Sequence, residues 1–221
     1  QDEIKEYLIK TYDMYKDFGI EEFDCETCGM DYSDDAQEIV DLIKNNPKLD
    51  IGECATTHLG SERSRIIYKR MLDYLIDNNV HILSNMEVEN VDTINKKVYI
   101  KSGHISYDKL VVAMGRSGNK LVKEICSSND IKYRNGKVDM GARVECPNEV
   151  MKKLNDNFYE CKIYFQGTFG DKARMFCTNP GGYVTVESYE NNGKKLFTAN
   201  GHAFAEKKSD NTNFAILVTR N

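Results

Sequence analysis

No run in this 221-residue sequence approaches the roughly 18 consecutive apolar residues of a membrane span, and its opening stretch, DEIKEYLIK, lacks the layout of a signal peptide. A soluble, cytoplasmic chain with no membrane span is the expectation. Positive charge is in short supply too: 30 Lys and Arg against 35 Asp and Glu leave a net charge of -5. That is the wrong sign for a domain that holds nucleic acid by counterion release. Long basic runs are absent, and Glu206-Lys207-Lys208 reads as a solvated face. There is neither GxGxxG nor GxxxxGK[ST], so the loop that cradles phosphate in dinucleotide and NTP sites is missing. No internal repeat or low-complexity segment occurs. Seven cysteines, an odd number without regular spacing, point to reduced thiols rather than a disulfide framework.

What is present argues for a packed core. Apolar residues make up 40% of the chain before its 15 glycines are added, the share of an ordinary globular protein. The length suits one large domain or two small ones. A sequence that opens on Gln1 and closes on the apolar run 214–219 is expected to be an excised piece of a longer protein.

The patterning reads as mixed α/β. Ile4, Leu8, Tyr12 and Tyr15 have helical spacing and Gly19 a C-cap position. A second helix is expected over 35–44, capped by Ser33 and Asp34 and stopped before Pro47. Ser61 opens a third, carrying Ile67, Met71, Leu72 and Leu75, and a strand over 80–83 follows at once, as in the second half of a βαβ unit. Short β-type runs at 86–91, 97–101 and 105–107 read as a meander. It leads into 110–113, a continuous apolar run of the kind buried in parallel sheets, ending at Met114-Gly115. A helix over 119–128 comes next. Beyond a boundary near 135 the chain turns β-rich, with strands near 138–144, 162–165, 174–177, 183–186, 196–199 and 214–218 and one helix at 148–154.

Several groups are candidates for chemistry. A parallel strand that stops at Gly115 is where open α/β sheets bind nucleotides, and it is equally an ordinary strand-to-helix turn. Cys25-x-x-Cys28 joins Cys54-x-x-x-His58 in a formal Cys3His zinc set; the pair also suits a redox dithiol or two unremarkable cysteines. Asn179-Pro180-Gly181-Gly182 lies between strands as a β-turn, with Cys177 a packed strand thiol just before it. His202, after Asn200-Gly201, is an acid/base candidate or a solvated loop histidine. Residues 61–65 and Arg116 offer cations to a pyrophosphate if they are not simply exposed.

Six blocks occur in order: His58-Leu59-Gly60-Ser61-Glu62-Arg63, residues 110–117, Gly141-Ala142-Arg143-Val144-Glu145-Cys146-Pro147, Asn179-Pro180-Gly181-Gly182-Tyr183-Val184, Asn200-Gly201, and Asn211-Thr212-Asn213 with 215–219. From about residue 56 onward the series resembles the bacterial NAD(FAD)-utilising, FAD-dependent dehydrogenases, relatives of glutathione-reductase-type flavoproteins. The resemblance implies the middle of such a protein. Residues 1–55 would be a helical leader with the CxxC loop, 56–135 part of a Rossmann-like FAD-binding fold with its β-meander, and 136–221 an inserted β-rich substrate domain. Ala113-Met114-Gly115 would match an ATG-like cofactor element, with methionine in place of threonine, and Met86, Glu87 and Val88 the meander strand beside the adenine. Asn179, Gly181 and Gly182 would face the flavin, with the glycines allowing close backbone approach. The cofactor implied is FAD, with NAD(P)H as electron donor and a small-molecule substrate not specified by the sequence. The opening and closing FAD segments would lie in other parts of the same polypeptide, and the piece alone would be inactive. The competing expectation is a non-enzymatic interaction module, stabilised by zinc at Cys25, Cys28, Cys54 and His58.

Overall fold

The structure, a computed structural model, describes residues 2–28, 33–52, 56–115, 117–134, 136–191 and 194–220. In chain order these form α1 (Asp2–Asp17), a 3-10 turn (Ile20–Glu22), β1 (Glu26–Cys28), α2 (Asp34–Lys44), β2 (Leu49–Gly52), β3 (Thr56–His58) and α3 (Ser61–Asp77). Next come β4 (Val88–Asp92), β5 (Lys97–Ile100), β6 (Gly103–Ser106), α4 (Asn119–Ser128), β7 (Val138–Pro147) and α5 (Asn148–Asn157). The series closes with β8 (Lys162–Gln166), β9 (Lys172–Asn179), β10 (Tyr183–Asn191), β11 (Lys194–His202) and β12 (Asn211–Arg220). The fold is mixed α/β with antiparallel sheets.

Two compact units are distinguished, one drawn from residues 1–78, 137–186 and 199–221, the other from 79–136 and 187–198. The first therefore takes residues from all three sequence segments distinguished above, and the β10–β11 hairpin contributes to both units.

The first unit is built on a five-stranded sheet in the order β2-β8-β9-β12-β7. Alternation along the strands puts Ile51, Ile163, Met175, Phe214 and Cys146 on one face, and α2 and α5 cover it there. Helix α2 presents Ala36, Ile39, Val40 and Ile43, the i, i+3, i+4, i+7 stripe of an amphipathic helix, all buried. Ser33 caps it by accepting the Ala36 N–H at 3.2 Å. Each isoleucine so buried contributes about 1.5–3 kcal/mol. On the opposite face, Arg174 of β9 and Thr219 of β12 both donate to the Asp139 carboxylate of β7, at 2.7 and 2.6 Å. Helix α1 and the 3-10 turn are held to α3 by the Arg70 guanidinium, which binds both Glu22 oxygens and the Phe18 carbonyl, and by Phe18 edge-on to Tyr74.

The second unit holds the meander β4-β5-β6, with α4 against β4. Asp92 makes its first turn: the carboxylate accepts the N–H groups of Ile94 and Asn95 and the Asn95 side-chain amide. Those bonds, that of the Asn95 N–H first, hold its carboxyl below the usual range.

Two expected strands do not form. Residues 80–83 and 110–113 are irregular, and Val80, Ile82, Leu83, Leu110, Val111 and Val112 are exposed, Val111 at 87%. A buried parallel strand needs a paired neighbour, and among the described residues neither run has one. The βαβ reading and the buried strand leading to Gly115 are corrected accordingly. Strands β1, β2 and β3, four residues or fewer each, were not expected.

Candidate functional site

The most developed concavity lies in the first unit, where α3 begins. Gly60, with φ +89°, precedes Ser61 because the backbone of residues 203–206 runs close by: a Cβ on Gly60 would come within 2.8 Å of the Ala205 nitrogen. The Ser61 N–H donates to the Ala203 carbonyl at 3.0 Å, its hydroxyl meets the same oxygen at 3.2 Å and His202 Nδ1 at 3.4 Å, and the Glu206 N–H donates to Glu62 at 2.8 Å. Burial pushes the Glu62 carboxyl up, but the backbone N–H groups around it outweigh that and leave it below its ordinary value. Ahead of the helix, the His58 ring on β3 lies 4.0 Å from that of Tyr159, tilted by 40°, and places Nε2 3.7 Å from the Glu160 carboxylate.

Across from α3, β9 carries a bulge. Its pairing with β12 shifts register between Asn213 and Ala215, and Cys177 takes φ +52°, a left-handed conformation unusual for a side-chain-bearing residue. The bulge and the start of α3 line a cavity of about 770 Å³, whose lining includes the polar His58, Ser61, Cys177 and Asn179 and the aromatic Tyr15 and Tyr68. This volume is ample for a small-molecule ligand.

Next to Cys177 and Asn179 sits a polar cluster drawn from three strands. Arg143 of β7 donates to Asn213 Oδ1 at 2.6 Å and to the Cys177 carbonyl at 3.3 Å. Asn179 donates to that carbonyl at 2.7 Å and to Asn213 Oδ1 at 3.3 Å. Gly201 closes over the group: a Cβ there would fall within 2.5 Å of Asn179, Arg143 and Asn213 atoms. Alongside, Thr212 donates to Asn148 Oδ1 and accepts from Asn155. Thr212 and Asn213 are fully buried. The charge on Arg143 and the burial of Asn213 escaped sequence reasoning. Their signal was membership of two of the six blocks, to which sequence reasoning attached no role.

The expected site residues fall out as follows. Asn179 and His58 line the cavity, and His202 bonds to Ser61 at its rim. Gly181 and Gly182 do not present N–H groups to a ligand. The Gly182 N–H closes a turn on the Asn179 carbonyl at 3.2 Å, and the Gly181 N–H donates to Asn148 at 3.2 Å. Pro180 followed by Gly181 at φ +61° is the pattern of a type II turn. A Cβ on Gly182 would approach Asn179 Cβ to 2.6 Å. Both glycines are therefore explained by the turn, which presents Asn179. In the second unit, Met86 and Glu87 are exposed ahead of β4, and Val88 opens that strand. Ala113 is exposed, Met114 half-buried, and Gly115 has φ +61° with open space where a Cβ would stand.

Cys25 donates its thiol to the Ile20 carbonyl, and burial pushes it above the ordinary thiol range, with Arg63 only partly opposing. Strand β1, Glu26–Cys28, begins immediately after Cys25 and ends on Cys28. Cys54 and Arg116 lie outside the described residues, and among the described ones no group of three His, Cys, Asp or Glu side chains could hold a metal ion. Likewise no described helix is long and apolar enough to cross a membrane.

Comparison with models of known protein families and with characterised proteins finds no match to this chain.

Proposed function

We propose that the chain is the middle of an FAD-dependent oxidoreductase, its second unit belonging to the cofactor fold and the cavity of its first unit handling the substrate. The observation that carries the reading is the uncovered apolar surface of the second unit. The runs 80–83 and 110–113, patterned for burial, lie exposed on a unit with no buried side chain among the described residues. Such a unit is completed by more sheet, and the resemblance supplies it from other parts of the same polypeptide. Further support comes from the cavity region. Residues of five of the six blocks, among them His58, Arg143, Asn179, Gly201 and Asn213, meet at the cavity or in the polar cluster beside it.

The residues present fit part of an FAD site. The open space at Gly115 admits a ligand close to the backbone, and Met86, Glu87 and Val88 lie at the head of the meander. A bound flavin would supply hydride or electron-pair transfer, with NAD(P)H as donor; the chain's own residues shape and polarise the pocket. The test is reconstitution of the longest polypeptide containing this sequence with FAD. A stoichiometric flavin spectrum is expected, weakened roughly tenfold or more in affinity by Gly115→Val, because φ +61° is hostile to a β-branched residue. A colourless protein after reconstitution overturns the assignment.

A further inference from the structure

Among the described residues Arg143 has no negative partner. Its recorded bonds go to an amide oxygen and a backbone carbonyl, its Nε is buried without an acceptor, and among the described residues no carboxylate lies within ion-pair distance. The groups around it are donors as well. Asn213, fully buried, has its Oδ1 taken by Arg143 and Asn179 while its Nδ2 has no acceptor. A half-buried guanidinium whose Nε has no acceptor, beside an orphaned amide donor, is stabilised by an anion. The cluster adjoins the cavity through Cys177 and Asn179, which belong to both, and Tyr15 and Tyr68 also line that cavity.

We propose that this cavity takes a planar organic carboxylate, with its anionic end toward Asn179 and the Arg143 charge and its apolar body against Tyr15 and Tyr68. Resting on the reading above, this assigns the substrate class; Arg143 is a specificity residue, and guanidinium and amide groups suit the planar carboxylate.

The experiment uses the flavin-free 221-residue chain, so its outcome is independent of whether FAD binds the longer polypeptide. Sodium benzoate and its neutral isostere benzamide are titrated by calorimetry. Benzoate is expected to bind at least tenfold more tightly than benzamide. Asn213→Asp gives Arg143 an internal carboxylate and removes the orphaned Nδ2. It is expected to raise the melting temperature by about 3 °C and to weaken benzoate binding at least tenfold. Arg143→Met is expected to abolish the preference for benzoate, while Arg174→Met, at a cation already paired with Asp139, leaves it unchanged. Equal binding of the two probes, or no binding of benzoate, overturns the proposal. So does an Asn213→Asp chain that binds benzoate as the parent does, whatever the folding of Arg143→Met.

Discussion

The two units solve the same problem with unequal means. The first closes α2 and α5 over a five-stranded sheet, and every buried side chain among the described residues belongs to it; the second has a meander, one helix and no buried side chain at all. Both have regular hydrogen bonding, so the contrast separates what hydrogen bonds give from what burial gives. Ladders and turns set the course of the meander, but the net gain per hydrogen bond is small, and burial is the main term opposing chain entropy.

Paired substitutions test this contrast most strongly in the packed layer. Ile39→Ala should cost about 2–5 kcal/mol, whereas Val111→Ala, at an exposed position, should stay within about 0.5 kcal/mol. Urea denaturation of both variants decides it, and a Val111→Ala cost comparable to that of Ile39→Ala would mean that 110–113 is covered in solution. A smaller difference is expected between two threonine hydroxyls. Thr212, fully buried and bonded on both sides, should lose about 1–3 kcal/mol on change to valine. Thr93, whose hydroxyl meets Asn129 in the second unit, should lose less than about 1 kcal/mol by the same measurement.

The smallest effect is a pH dependence. Asp139 is held below the usual carboxylate range by the Thr219 hydroxyl first and by Arg174, and Asp92 by its own turn. A depressed folded value means stability that is present above the unfolded value, near 4, and lost as pH falls through the folded one. Asp139 ties three strands together, so Asp139→Asn should flatten the acid limb of global unfolding below about pH 4. Asp92→Asn should alter only the exchange of the 94 and 95 amides, read by NMR. Equal effects of the two on global unfolding would erase the distinction between the units.

How legible each part was follows from where its information sits. The meander was readable because Asp92, Ile94 and Asn95 make its first turn from local bonds. Helix α2 was readable because its stripe and its Ser33 cap lie within eleven residues of each other. The runs 80–83 and 110–113 have the composition of buried strands, but pairing is a property of neighbours, and composition alone does not supply them. Strand β2 was missed for the reverse reason: four residues after Pro47 are too few for a pattern, yet Ile51 opposite Ile163 extends the sheet and enters the core. In the site, the Asn179 turn was visible as Pro-Gly-Gly, but the use of its N–H groups was not, because Asn148 lies far away in sequence. Arg143, Asn179 and Asn213 belong to three separate strands, and no local pattern joins them.

The place of β12, inside the sheet and next to its edge strand β7, bears on the order of folding. It is paired on both flanks, so that β7, synthesised far earlier, finds its partner only when Val138 meets Arg220 and Pro147 meets Asn211. Strands β8 and β9 adjoin in sequence and can pair as soon as they emerge, whereas β7 must wait with its edge open for the whole intervening chain. Such non-local closure is slow, and the waiting edge is a surface on which nascent copies associate. The sheet that gives this protein its stability is therefore also the step at which its synthesis is most exposed to aggregation.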